Sequence, residues 1–167
     1  MLHQGPHIGW TLPHSPLRRD DPAMDVAEVE RWYASYVADY AAVVRGDIDD
    51  ARHLLSYYTL PILFSSDAGS MVLGDEMQLM ALAQQQMDGL RSAGYDRSEE
   101  LNAETTVLNR SCALHRGRLA RLRADGTEIA QVEATYLIIE GQQGRQIAAV
   151  IAHTDQTADA EAAAGDG

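Results

Sequence analysis

Residues 111–140 read SCALHRGRLARLRADGTEIAQVEATYLIIE, and the Asp125-Gly126 pair near their middle decides the fold. Asp-Gly between two runs of β-forming residues favours a two-residue hairpin turn, whose central positions need a positive φ. Glycine reaches that region without steric cost and aspartate tolerates it. Ser111–Arg123 and Glu128–Glu140 are therefore expected to lie antiparallel. The same reading extends outward. Glu100–Leu108 precedes across Asn109-Arg110, and Arg145–His153 follows across Gly141-Gln-Gln-Gly144. Four consecutive strands joined by short turns imply an antiparallel sheet.

The N-terminal half changes period. Asp25 is placed as an N-cap with Glu28 at the capping-box position. Val29, Tyr33, Tyr36, Val37, Tyr40 and Val44 then recur at helical spacing up to Arg45. Gly46 ends that helix, and Asp47 is expected to open a second, shorter one running to about Leu55. Tyr57–Ser66 and Met71–Leu73 read as a short hairpin around Asp67-Ala-Gly69, with Pro61 confining its strand to an edge or an irregular position. Asp75 caps a third helix carrying a stripe of Met77, Met80, Ala81, Gln84, Met87 and Leu90, closed at Gly94. Residues 1–24, with Pro6, Pro13, Pro16 and Pro22, predict an extended or disordered arm, and Met24 is a candidate natural start. Residues 155–167 are small and acidic and predict a disordered tail. The domain is expected over 25–154.

Helices followed by an antiparallel sheet define an α+β fold, with three N-terminal helices packed on a curved sheet. The segments Val43-Val-Arg-Gly-Asp47, Tyr57-Tyr-Thr-Leu-Pro-Ile-Leu-Phe64, Arg123-Ala-Asp-Gly-Thr-Glu128 and Gly144-Arg-Gln-Ile-Ala-Ala-Val-Ile-Ala-His153 resemble the nuclear transport factor 2-like superfamily. That superfamily also holds ketosteroid isomerases and polyketide cyclases. Within it the chain looks most like an uncharacterised bacterial group whose last strand also ends in histidine. The resemblance implies a conical pocket between sheet and helices and a homodimer through the outer sheet face. Ketosteroid isomerases carry an acid on the strand after helix two. Thr59–Phe64 has none, and Asp67 in the turn is the first acid after it. Against the Asp-Arg-Asp of limonene-epoxide hydrolases, Glu133 near Arg116 or Arg118 is a loose imitation.

Hairpin registers turn the strands into a face. A two-residue Asp125-Gly126 loop pairs Arg123 with Glu128, Arg118 with Glu133 and His115 with Tyr136. A Gln142-Gln143 loop pairs Tyr136 with Ala149 and Val132 with His153, and an Asn109-Arg110 loop sets Glu104 opposite His115. Side chains alternate, so Glu104, Thr106, His115, Tyr136 and His153 then share one face with Leu119, Val132, Ala134, Ile138, Ile147, Ala149 and Ile151. On that face Glu104, His115 and His153 are the candidate catalytic residues, as a carboxylate beside an imidazole makes an acid/base pair. Tyr33, Tyr36, Tyr40, Tyr58, Met80, Met87 and Tyr136 are the candidate ligand-binding walls, although Tyr and Met stripes also serve as plain core. The opposite face, with Leu114, Arg116, Arg118, Leu137, Val150 and Thr154, competes for the concave side.

Composition narrows the chemistry. The formal net charge is −12, from 25 acids against 13 bases, which disfavours nucleic acid and anionic membranes as partners. The arginine run His115–Arg123 is divided between both faces by strand alternation, so it reads as a solvated or dimer-interface pattern. Cys112 is the sole cysteine, excluding an internal disulfide and a Cys-rich zinc site. Three histidines in the arm, His3, His7 and His14, lack the fixed spacing of a metal site. Neither metal nor cofactor is expected, and without a signal-like or spanning segment the chain is expected to be cytoplasmic. Three functions stay open. They are a binder of an apolar small molecule, a cofactor-independent lyase, isomerase or cyclase using His115 or His153 with tyrosine hydroxyls, and a dimeric interaction module with a filled cone.

Overall fold

The computed structural model describes residues 23–141 and 143–153. The arm with its three histidines, except its last two residues, and the acidic tail lie outside those residues. Helix α1 (Val26–Arg45) starts where Asp25 accepts the Glu28 N–H at 3.1 Å, a cap worth about 1 kcal/mol. It ends at Gly46, whose φ of 85° lets the chain reverse while Asp47 N–H bonds Ala42 O at 2.8 Å. That reversal draws Asp47 and Ile48 back toward α1, so no second helix opens at Asp47. Asp50 instead caps a 3₁₀ turn over Ala51–Tyr57. Strands β1 (Tyr58–Ser66) and β2 (Gly69–Leu73) form the expected hairpin, and helix α2 (Glu76–Ser92) follows its Asp75 cap. Met24, assigned to the arm by sequence, belongs to the core. It is buried, and its N–H bonds Arg110 O at 3.1 Å.

Strands β3 (Tyr95–Asn109), β4 (Cys112–Arg123), β5 (Glu128–Gly141) and β6 (Gly144–Ala152) complete a six-stranded mixed sheet in the order β2-β1-β6-β5-β4-β3. Neighbours are antiparallel except β1 and β6, which run parallel. Pro61 therefore sits in an interior strand. Proline has no N–H for the ladder, and the β1–β6 pairing is interrupted between Tyr58 and Leu63, across that residue.

Two expected registers are shifted by bulges. Arg118 faces Glu133 and His115 faces Tyr136 as read from the Asp-Gly turn, and only the end of that hairpin slips, to Leu122 with Glu128. In β3, Leu108 is an extra residue between the Val107–Ala113 and Asn109–Cys112 pairs. Thr105 therefore faces His115, and Glu104 faces Arg116. In β6, Ala148 is extra, so Tyr136 faces Val150 and Leu137 faces Ala149. One inserted residue moves all that follows to the other face. Glu104, Ala149, Ile151 and His153 consequently leave the face that carries His115 and Tyr136.

That face receives α1. Val29, Tyr33 and Tyr36 pack with Ile62, Leu79, Ala113, Ile138 and Ile147, each nearly or fully buried. Full burial of one such aliphatic side chain contributes roughly 1.5–3 kcal/mol. A second cluster joins Val43, Val44, Leu54, Met87, Leu90 and Tyr95 at the C-terminal end of α1. There Arg91 of α2 donates to Val43 O and Val44 O at 3.0 and 2.8 Å, supplying donors to last-turn carbonyls. The buried stripe of α2 is Leu79, Met87 and Leu90, flanked by Leu82 and Ala83. Met77, at 78% exposure, points to solvent.

Candidate functional site

Between the inner sheet face and the two helices lies a cavity of about 350 Å³. Its walls follow from two periodicities. On α1, the i, i+1, i+4 set Tyr36, Val37 and Tyr40 faces the sheet. On the strands, alternation brings in Leu119 and Arg121 of β4, Val132, Ala134 and Tyr136 of β5, Val150 of β6 and Phe64 of β1. Leu82 and Gln86 of α2 close one side. An apolar lining with a few polar groups at this volume suits a small organic ligand.

Four of the polar groups are phenols. Tyr36 and Tyr58 share a hydroxyl–hydroxyl hydrogen bond of 2.6 Å. The Tyr36 ring also contacts Tyr57 edge-on at 5.3 Å and Tyr136 at 6.3 Å between centroids. Such aromatic pairs contribute about 0.5–1.5 kcal/mol each beyond their buried area. Burial holds the Tyr36, Tyr58, Tyr136 and Tyr40 phenols above the usual tyrosine range. At neutral pH they are protonated and able to donate to a ligand oxygen.

Each candidate residue from the sequence now has a place. Tyr36, Tyr40, Tyr58 and Tyr136 line the cavity. Tyr33 lies behind it, sandwiched against His115 at 4.0 Å and Tyr136 at 5.0 Å. Met87 is fully buried in the second core cluster, and Met80 is half-buried outside the lining. His153 bonds Thr135 Oγ1 at 2.7 Å, and Thr135 alternates with Tyr136 and so faces away from the cavity. Glu104 is exposed opposite Arg116, so the expected Glu104–His115 pair does not form.

His115 has other partners. Its Nδ1 meets Thr105 Oγ1 at 2.8 Å, and its Nε2 lies 3.4 Å from Glu100 Oε2 without an aligned hydrogen bond. The side chain is 1% exposed. Burial pushes its pKa below the ordinary histidine value, and the Glu100 carboxylate only partly opposes this. His115 is thus buried, neutral and screened from the cavity by Tyr33. Strict alternation from Glu104 already puts Glu100 on the inner face opposite Leu119, where it is found, but the sequence reading takes only the carboxylate directly opposite His115. The two bulges of β3 displace Glu104 and leave Glu100 in place. Glu100, Glu30 and Arg97 border a separate cleft of about 410 Å³ between α1 and β3.

Arg121 is the charged side chain that the inner face presents to the main cavity. Glu133 also borders it, but it alternates with Val132 and Ala134 and carries its carboxylate on the outer face. Glu133 accepts from Arg118 Nη2 at 2.8 Å and Arg116 Nε at 2.6 Å, and these arginines hold its carboxyl below the usual range. Arg121 was missed because the arginine run, though divided between both faces, was weighed only as a solvated or dimer-interface pattern. Its signal was available, since Arg121 shares parity with His115 and Leu119 along one strand. No group of acidic, histidine or cysteine side chains suited to a metal ion occurs among the described residues. No helix there is long and apolar enough to cross a membrane.

A family model described as NTF2-like protein (DUF6841) matches residues 27–155. No protein among the curated ones matches the chain. Solved structures share its fold at low identity. A domain of unknown function with a cystatin-like fold from Nostoc punctiforme is 19% identical, with 86% of each chain covered and a TM-score of 0.62. Aln2 from a Streptomyces species is 13% identical, with 81% of this chain and 94% of that one covered and a TM-score of 0.58. An NTF2-like protein with a cystatin-like fold from Novosphingobium aromaticivorans is 16% identical, covering 83% and 96%, with a TM-score of 0.55.

Proposed function

We propose, for a chain that belongs to the NTF2-like family DUF6841, that it binds an apolar small molecule in the cavity beneath α1. The observation that carries this reading is the cavity itself. About 350 Å³ remains open between Phe64, Leu82, Val132 and Val150, with protonated tyrosine hydroxyls reaching into it. An interaction module would more simply have packed that space with its Tyr and Met side chains, and Met80 and Met87 stay out of it. Acid/base catalysis has less support, because neither His115 nor His153 lines the cavity. A homodimer through the outer sheet face belongs to the same proposal. Leu63 and Ile151 are on that face and are 36% and 40% exposed.

Native mass spectrometry of the purified protein, followed by denaturing extraction, tests the reading. The expected result is a dimer mass carrying a defined small-molecule increment, released on denaturation. A monomer mass would refute the outer-face assembly. Failure of any apolar compound to raise the mass, even when added in excess, would refute the cavity as a binding site.

A further inference from the structure

Arg121 is a half-buried cation set in a wall of apolar and phenolic groups. Its β-ladder partners are Ser98 on β3 and Ala130 on β5, neither of which carries charge. Other arginines around the sheet are differently placed. Arg116 and Arg118 grip Glu133, Arg97 meets Asp96 and Glu99, and Arg145 reaches Glu140 and Glu28. Arg123 donates to Ala93 O and Glu128 O. Among the described residues no carboxylate forms an ion pair with Arg121, and the neighbouring Glu133 carries its carboxylate on the outer face, where Arg116 and Arg118 engage both oxygens. The electrostatic influence of Arg121 falls on three phenols, Tyr40, Tyr95 and Tyr136. Phenols at neutral pH do not neutralise it.

A guanidinium offers five N–H donors in a rigid fork and stays charged at every relevant pH. While water fills the cavity, those donors are solvated. A ligand that displaces the water must replace those hydrogen bonds or leave a desolvated cation, which is strongly unfavourable. We infer that Arg121 anchors the anionic head of the ligand, so that the cavity accepts an apolar monocarboxylate. The carboxylate would meet the guanidinium in the bidentate geometry that suits both groups, with Tyr136 and Tyr40 beside it. The apolar body would lie against Val37, Phe64, Leu82, Val132 and Val150. The molecule's net charge of −12 opposes multiply charged phosphates, which favours a single carboxylate. This inference rests on the cavity being the binding site.

The test is calorimetric titration of the full-length protein at pH 7.5 with two probes of one shape, 2-naphthoate and 2-naphthalenemethanol. Wild type is expected to bind the carboxylate at least tenfold more tightly than the alcohol. Arg121→Gln should abolish that preference while leaving alcohol affinity within about twofold, and Arg121→Lys should retain part of it. Circular dichroism melts establish that each variant is folded, and the lysine variant alone suffices if glutamine is not tolerated. Equal binding of the two probes by wild type, or equal weakening of both by a folded variant, overturns the anchor and leaves the cavity reading standing. Failure of wild type to bind either probe overturns both.

Discussion

The least ordinary residue is His115, an imidazole without an aligned hydrogen bond at Nε2 and packed against the tilted ring of Tyr33. Around it stand Thr105, Glu100, Tyr33 and Tyr136, with Glu30 at longer range. Its folded pKa is lowered, so the unfolded chain takes up the proton first as pH falls. The resulting stability is fully present above the ordinary histidine value of about 6.5 and is lost progressively below it, towards the folded pKa. Asp39 and Glu133, whose pKa values are also lowered, add acid sensitivity only in the lower carboxylate range. The melting temperature of wild type should therefore drop between pH 7 and 5, and His115→Gln should flatten that slope whatever its effect at pH 7. Parallel slopes would contradict a buried neutral histidine. At this scale the sequence was readable wherever strict alternation held. His115 opposite Tyr136 came directly from Asp125-Gly126. Glu104 failed as the partner because nothing in its residue type announces that Leu108 is bulged, and the carboxylate that does approach His115 lies four positions earlier.

Elements were legible where a cap or turn residue marked them. Asp25, Gly46, Asp75 and Gly126 each hold the structural position their chemistry suggests, the two glycines with φ of 85° and 83°. The face of α2 was not so marked. Of the expected stripe Met77, Met80, Ala81, Gln84, Met87 and Leu90, the last two are buried. In the first turns Leu79 and Leu82 have equal claim by spacing, and packing buries Leu79 while Met77 is exposed. This gives a sharp comparison by urea denaturation. Leu79→Ala should destabilise the protein by about 2–4 kcal/mol through lost burial and a residual cavity. Met77→Ala should change stability by less than about 0.5 kcal/mol. Comparable costs at the two sites would mean that α2 is rotated about its axis. The short second helix expected from Asp47 illustrates the opposite problem. A good capping residue lay there, but the reversal after Gly46 turns it back onto α1, where Arg45 Nε holds its carboxylate at 2.8 Å.

At the scale of the whole molecule, hairpin signals account for the antiparallel run from β3 to β6 but not for its closure. Parallel pairing of β1 with β6 joins segments far apart in the chain (Tyr58 with Ile147, Leu63 with Ala149), and no turn chemistry encodes it. That pairing brings Phe64 beside Val150 and Tyr136, and it carries Tyr58 to Tyr36. The cavity is thus a product of long-range topology acting on locally readable strands. Four of its tyrosines could be named from the sequence and Arg121 could have been by strand parity, while Phe64 and Val37 needed the assembled fold.

The central claim is that this inner space, and no outer surface, receives the ligand. Methyl ¹H–¹³C chemical-shift mapping during titration with 2-naphthalenemethanol, a probe independent of the arginine anchor, tests it most directly. The account predicts saturable shifts at Val37, Leu82, Leu119, Val132 and Val150, with Leu114, Leu137 and Ile151 on the outer face unmoved. Shifts confined to the outer-face methyls, or none at saturating probe, would contradict it.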